Sequence, residues 1–307
     1  MLTPEQIAGR YKTLGASDAA RVFEGRALEV YCEKLQLTPP FEGNEMTEWG
    51  NRLESKVAEK YAEANGVTLL ESPTLTHPVL SWASCTPDRI CVDADGEQRL
   101  LEVKTTGVSH AAEWGEAGTD QVPHRVAVQV AWQMFVTGNE RCDVAVLIGG
   151  QTYRQYSLRR DAEIEQALVA QMTDFWENHV VLQIAPELDG SEAAHRYLAH
   201  LYPRNIEDLA PADEKAEEAM RDLADLKTEA KALEENISEL EARLKSYIGF
   251  KDGLVGTAGR ATWKLAASGA VSWKRVADEL GVPADLVAKH TSAPSRRFLF
   301  QPSKETP

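Results

Sequence analysis

The sequence predicts a mixed α/β fold, a central mixed sheet flanked by helices, followed by a long heptad helix and a small β-containing module. Three observations carry this expectation. The turn sequence Asp93-Ala94-Asp95-Gly96 separates two β-rich runs, Trp82 to Val92 and Arg99 to Thr106, and Asp-Gly tolerates the positive φ that a tight hairpin needs. Helical and strand periodicities then follow one another in the order α, β-hairpin, β, α, β, β, α. Finally, Leu223, Leu226, Ala230, Leu233, Ile237, Leu240, Leu244 and Tyr247 recur in alternating steps of three and four, the signature of a heptad seam.

Taken in order, Thr3-Pro4 reads as a helix start, with Pro4 at the first helical position. Gly15 breaks that segment and Ser17, or Ser17-Asp18, begins the next. Ser17 is either an ordinary N-cap or, with exposed amides and Arg10 nearby, a phosphate seat. Leu28 to Leu37 is a short amphipathic helix ended by Pro39-Pro40. Glu45 to Asn65 is a longer one, with Trp49, Leu53, Val57 and Tyr61 at four-residue steps and Gly66 as its stop. Glu54 lies beside that apolar stripe, where it is a surface glutamate or reaches a metal and its water shell. Strands follow at Val67 to Ser72 and Thr74 to Val79, then the hairpin.

After a polar stretch with His110 and Trp114, His124 to Thr137 is an apolar helix stopped by Gly138. Gln129 and Gln133 sit one turn apart on it, and amides on so apolar a helix need partners, at an active-site edge or on a neighbouring helix. Cys142 to Gly149 reads as a buried strand, Gln151 to Leu158 as an edge strand and Asp161 to Ile184 as a long helix. The expected domains are a core over 1–185, a linker with only short helical stretches over 186–211, the heptad helix over 212–250 and a small module over 251–307. In the last, Ala261 to Lys264 is expected to pair with Arg296 to Phe300, beside a small helix at Ser272 to Leu280.

Composition bounds the chemistry. The 307 residues can bury a sizeable core, and no apolar run of about 18 residues suggests a membrane span, so a cytoplasmic protein is expected. Four cysteines without CxxC spacing and seven histidines without a metal pattern disfavour zinc, iron–sulfur and histidine–metal enzymes. A net charge of −15 argues against nonspecific nucleic-acid binding, yet the charge is uneven. Asn205 to Tyr247 holds thirteen acidic and six basic residues, whereas Lys251 to Lys304 holds nine basic and four acidic.

Within the hairpin, Glu102 and Lys104 are two apart on one strand and share a face, and Asp88 lies on the other strand fourteen residues before Glu102. Two carboxylates and an ammonium can thus converge, in the pattern called PD-(D/E)XK. Phosphodiester hydrolysis asks for these groups. Asp88 and Glu102, with the carbonyl of Val103, suit Mg²⁺ or Mn²⁺, and Lys104 suits orienting or deprotonating the attacking water. Such spacing also arises by chance in an acidic chain, where a Glu/Lys pair is commonly a solvated face. With Lys104 as the catalytic lysine, Lys104→Ala is expected to abolish cleavage with little loss of stability, because an exposed-face lysine contributes little to packing.

Gly15-Ala-Ser17-Asp18, the Glu54 helix, Thr86-Pro87-Asp88, Leu101-Glu102-Val103-Lys104 and Gln129 to Thr137 occur in one order over about residues 15–160. In that order they resemble the YqaJ-like viral recombinase family, relatives of phage lambda exonuclease. The resemblance implies a restriction-endonuclease-like core and Mg²⁺-dependent 5′ to 3′ digestion of one strand of linear duplex DNA. It also implies a ring-shaped trimer and a single-strand annealing protein as partner. By position, Asp88 and Glu102 match the metal ligands, Lys104 the catalytic lysine, and Glu54 and Gln129 flanking active-site positions. Arg10, Ser17 and Thr86 match the 5′-phosphate pocket, with His110 standing where the compared family member has an arginine. An endonuclease of restriction or repair type and an inactive DNA-end-binding protein are the competing readings.

Overall fold

The computed structural model describes residues 9–38, 43–206, 209–265, 271–292 and 298–300, and the chain forms two compact units, Met1–Tyr202 and Pro203–Pro307. The helix start at Thr3, the stop at Pro39-Pro40 and Arg296-Arg297 of the closing module lie outside the described residues.

In the first unit the chain runs α1 (Ala16–Phe23), α2 (Ala27–Lys34), α3 (Glu45–Asn65), β1 (Thr68–Glu71), β2 (Leu75–Thr76), β3 (Ser84–Cys85), β4 (Arg89–Val92) and β5 (Gln98–Thr106). It continues through α4 (His124–Thr137), β6 (Arg141–Ile148), β7 (Thr152–Arg159), α5 (Ala162–Asp174) and α6 (Glu192–Leu201). Five strands form one sheet in the order β1-β4-β5-β6-β7, parallel between β5 and β6 and antiparallel elsewhere, so the expected mixed sheet flanked by helices is what forms. A parallel pair needs a crossover, and α4 supplies it.

The apolar character of α4 has a packing cause. Val126, Val130 and Met134 cover the sheet through Leu100, Val144 and Val146, while Val128, Trp132 and Phe135 join α1, α2 and α5 in a second core. Buried on both sides, the helix cannot show the polar face of a surface helix. The opposite sheet face is covered by Val57, Ala58 and Tyr61 of α3, packed on Leu101, Val103 and Ala145. Buried Asp143 of β6 accepts hydrogen bonds from the Tyr61 hydroxyl and from Arg141 Nε at 2.8 Å, and its Oδ2 lies 2.9 Å from Arg99 Nε, which locks α3 to the sheet. Trp49, expected in the apolar stripe, is 54% exposed, because α3 extends beyond the sheet at its N-terminal end.

The turn over Asp93–Gly96 is as expected. Gly96 takes φ 84°, and Asp93 Oδ1 accepts from the amides of Asp95 and Glu97. The run expected as one strand from Trp82 to Val92 is instead broken at Thr86–Asp88. Pro87 has no amide hydrogen and cannot continue a ladder, so β3 pairs with β2 apart from the main sheet and Asp88 sits at a bend before β4. The long helix after Asp161 is α-helical to Asp174 and π-helical over Phe175–Val181. The stretch from Pro186, expected to hold only short helical pieces, contains the ten-residue α6, whose Ala194 and Tyr197 enter the first core.

In the second unit, α7 (Glu214–Ile248) is capped by Asp213, whose Oδ1 accepts from Ala216 N at 2.8 Å. A hairpin of β8 (Gly253–Gly256) and β9 (Gly259–Thr262) follows, then α8 (Trp273–Glu279) and α9 (Ala284–Lys289). Ala261 thus finds its strand partner in Leu254. Among the described residues no helix is long and apolar enough to cross a membrane.

Candidate active site

Glu102 and Lys104 project from β5 toward α4, because the alternate residues Leu101 and Val103 are held under α3. Glu102 is 3% exposed, and a carboxylate so deeply buried must be partnered. Lys104 Nζ and Gln129 Nε2 both donate to its Oε1 at 2.6 Å, and Gln133 Nε2 donates to Oε2 at 2.7 Å. Lys104 Nζ also donates to Gln129 Oε1 at 2.9 Å. The amides one turn apart on α4 therefore grip opposite ends of a single carboxylate. The solvated-face view of the Glu/Lys pair fails here because Lys104 is the counter-charge of a buried anion, which makes a loss of stability the expected outcome of Lys104→Ala.

Asp88 reaches the same place from the bend. The β4 register ends with Arg89 opposite Leu101, which leaves the next outward amide of β5, that of Val103, without a strand partner. Asp88 Oδ2 accepts that amide at 2.7 Å. In an extended strand the amide and carbonyl of one residue leave on the same side, so the Val103 carbonyl faces this gap as well.

Burial, and after it the negative charge of Glu102, push the Asp88 carboxyl well above the usual carboxylate range against the pull of Lys104 and the Val103 amide. For Lys104, burial favours the neutral amine, but the Glu102 and Asp88 carboxylates outweigh it and raise the ammonium above its ordinary value. Two carboxylates thus face one ammonium in a partly dry site, leaving a surplus of negative charge on hard oxygen atoms. Such a donor set fits a divalent ion like Mg²⁺, which takes one or two carboxylates and keeps several waters.

Glu54 does not complete a carboxylate triad. Arg89 points to the α3 side, opposite Leu101, and its Nη1 donates to Glu54 Oε1 at 2.8 Å. The Glu54 charge still acts on Asp88, raising its pKa. Consistent with this, no group of three or more His, Cys, Asp or Glu among the described residues is placed to hold a metal. The four cysteines are free and buried, and burial pushes the Cys85 thiol up to about 12.

Of the expected phosphate residues, Ser17 and Thr86 lie on two segments that are joined beside β3. Leu14 bridges Ala83 in parallel, with Leu14 N donating to the Trp82 carbonyl at 2.6 Å and Ser84 N to the Leu14 carbonyl at 3.0 Å. Ser17 and Thr86 are each three residues beyond this bridge. The N-cap of α1 lies two residues earlier than the Ser17 cap expected from sequence. Gly15 is its N-cap, and Asp18 reaches back to accept Gly15 N at 3.0 Å, which leaves Ser17 in the first turn. Arg10 is exposed, and its carbonyl accepts Lys34 Nζ at 2.7 Å. His110 is exposed on a 3₁₀ turn over Val108–Glu113 and turned to Glu113, 2.6 Å from its Oε1. Among the described residues no contact ties it to the other phosphate candidates.

Two features had no clear signal in the sequence. Arg89, beside Asp88, binds both Glu54 and Glu71. Beneath the Arg10–Ser17 loop, buried Asp18 is paired with Lys34 and with Arg21, the latter at 2.7 Å. The Gly15-x-x-Asp18 capping spacing was a hint for Asp18; nothing marked Lys34.

Residues 7–140 match the model of the YqaJ-like viral recombinase domain. Over 312 residues the chain is 29% identical to an uncharacterized protein YqaJ of Bacillus subtilis (strain 168), covering 97% of this chain and 94% of that one. Among solved structures it is similar to an alkaline exonuclease, LHK-Exo, from Laribacter hongkongensis, with 21% identity, a TM-score of 0.46 and coverage of 59% of this chain and 96% of that one. It is also similar to a phage related exonuclease from Haemophilus somnus 129PT, with 11% identity, a TM-score of 0.43 and coverage of 56% and 96%.

Proposed function

We propose, from the match of residues 7–140 to the model of the YqaJ-like viral recombinase domain, that the chain is a Mg²⁺-dependent DNA exonuclease acting on linear duplex DNA. Digestion runs 5′ to 3′ along one strand and leaves a 3′ overhang for a single-strand annealing partner. The observation that carries the reading is the meeting of Asp88, Glu102 and Lys104, from a bend and a strand, in one cluster of interacting charges.

Asp88, Glu102 and the Val103 carbonyl would hold the ion, with Mn²⁺ as a substitute. Bound there, it supplies acidified water and positive charge against the phosphodiester. Lys104 has three ammonium hydrogens, of which Glu102 and Gln129 take two, so one remains for the phosphate or the attacking water. Gln129 fixes the lysine, and Gln133 fixes the carboxylate that the lysine neutralises. The exposed Arg10, the Ser17 hydroxyl in the first turn of α1 and the Thr86 hydroxyl, which shares a hydrogen bond with that of Thr74, suit a terminal 5′-phosphate. His110, paired with Glu113, is a weaker phosphate ligand than a guanidinium. The ring-shaped trimer belongs to the same proposal.

The test is end-labelled linear duplex bearing 5′-phosphate or 5′-hydroxyl, with Mg²⁺ or with chelator. Mg²⁺-dependent release of nucleotides from 5′-phosphorylated ends is the expected result. Cleavage of covalently closed circular duplex would replace the exonuclease with an endonuclease, and binding of ends without cleavage would leave an inactive end-binding protein.

A further inference from the structure

We propose that α7 pairs with α7 of a second copy of this chain as an antiparallel two-stranded coiled coil centred between Leu233 and Ile237. Along its 35 residues the heptad seam from Leu223 to Tyr247 is unbroken, about 36 Å at 1.5 Å per residue. It lies open, with Leu233 62% and Ile237 56% exposed. A row of apolar side chains this long on a free helix marks a partner surface.

The flanking charges choose both the partner and the direction. With Leu223 at heptad position a and Leu226 at d, the e positions are Lys227, Glu234 and Glu241, and the g positions are Asp222, Glu229, Asn236 and Arg243. Antiparallel helices set a against d, and here every layer finds a mate: Leu223 with Tyr247, Leu226 with Leu244, Ala230 with Leu240 and Leu233 with Ile237. Each layer occurs twice through the two-fold axis. Position e then meets e, and g meets g. Lys227 faces Glu241 and Glu229 faces Arg243, each pair made twice, against a single like-charge meeting of Glu234 with itself. Parallel pairing sets g against the following e, which gives Asp222 with Lys227 but also Glu229 with Glu234. Attraction and repulsion then cancel. A self-complementary stripe whose charges balance in one direction is the property of an isologous interface.

Lys227 also carries the ring of Phe300, 5.5 Å from its ammonium, and Arg243 pairs with Glu239 of its own helix, so of the two pairs Glu229–Arg243 is the one to reverse because its competing contact stays within α7. The inference is independent of the nuclease reading, and its test measures mass. By light scattering after gel filtration of the full chain, Glu229→Arg and Arg243→Glu should each halve the mass seen for wild type at the same concentration. The double variant should restore it. Helix content by circular dichroism guards against simple unfolding. In a second measurement, Glu234→Cys should form an interchain disulfide on mild oxidation and Leu226→Cys should not, with the four natural cysteines buried as low background. A mass unchanged by either single reversal, an association tightened by Glu229→Arg, or crosslinking at Leu226→Cys in place of Glu234→Cys would each overturn the pairing.

Discussion

Replacing Lys104 with methionine keeps an unbranched side chain, one atom shorter, and removes its charge. Glu102, 3% exposed, then loses its cation and keeps two amide donors, and Asp88 loses the nearest positive charge. Breaking a buried pair from one side costs about 3–5 kcal/mol, but the Lys104 side chain is 28% exposed and Glu102 can take up a proton, so about 2–3 kcal/mol is expected. At about 2–4 °C per kcal/mol for a unit of this size, melting of the first unit in EDTA should fall by about 4–12 °C. Mg²⁺ should recover more of the loss in the variant than it adds to wild type, because two carboxylates no longer share their charge with an ammonium. Circular dichroism melts with EDTA and with Mg²⁺ measure this, beside digestion of end-labelled duplex, which should be abolished. A variant that melts with wild type in EDTA would show that Glu102 does not depend on Lys104; digestion at the wild-type rate would remove Lys104 from the chemistry.

Gln133→Met removes the donor to Glu102 Oε2 with little change of volume, and loss of a hydrogen bond to a charged group should cost about 1.5–3 kcal/mol in urea unfolding. Unchanged stability and unchanged digestion would show that Oε2 needs no anchor. Asp18→Asn breaks the buried pair with Lys34 and should cost about 3 kcal/mol at pH 7. Burial raises the Asp18 carboxyl, but Lys34 and Arg21 outweigh it and hold the group below its usual value. The ionised form therefore contributes stability above the unfolded value of about 3.9, and that contribution is lost as pH falls through the lower folded value. The gap between wild type and variant should hold from pH 7 to pH 5 and narrow as the pH falls below about 3.9; a gap that does not narrow there would contradict the ion pair. Arg10→Ala should lower the ratio of digestion rates on 5′-phosphate and 5′-hydroxyl ends about tenfold, and an unchanged ratio would place the phosphate elsewhere.

Periodicity exposed much of the fold before any coordinates. The Glu45–Asn65 helix with its Gly66 stop, the Asp93–Gly96 turn and the His124–Thr137 helix are local events, fixed by caps, glycines at positive φ and runs of one period. Misreadings arose where local pattern and long-range packing disagreed. Pro87 splits what looked like one strand, and α6 forms in a segment of linker-like composition because Ala194 and Tyr197 find a core to enter. Glu54 was placed correctly at the margin of a buried face, but its orientation depended on Arg89, which arrives from another element.

What the sequence determined by itself was which side chains share a face: Glu102 with Lys104, Gln129 with Gln133, and the heptad seam of α7, since each follows from the repeat of one element. What only the tertiary structure decided was which faces meet. Gln133 belongs to Glu102, Asp88 fills the strand partner missing beside Val103, and Lys104 neutralises a buried rather than a solvated carboxylate. Spacing along a chain fixes direction within an element, whereas burial and charge pairing depend on elements brought together across long stretches of sequence, and no local period encodes those meetings.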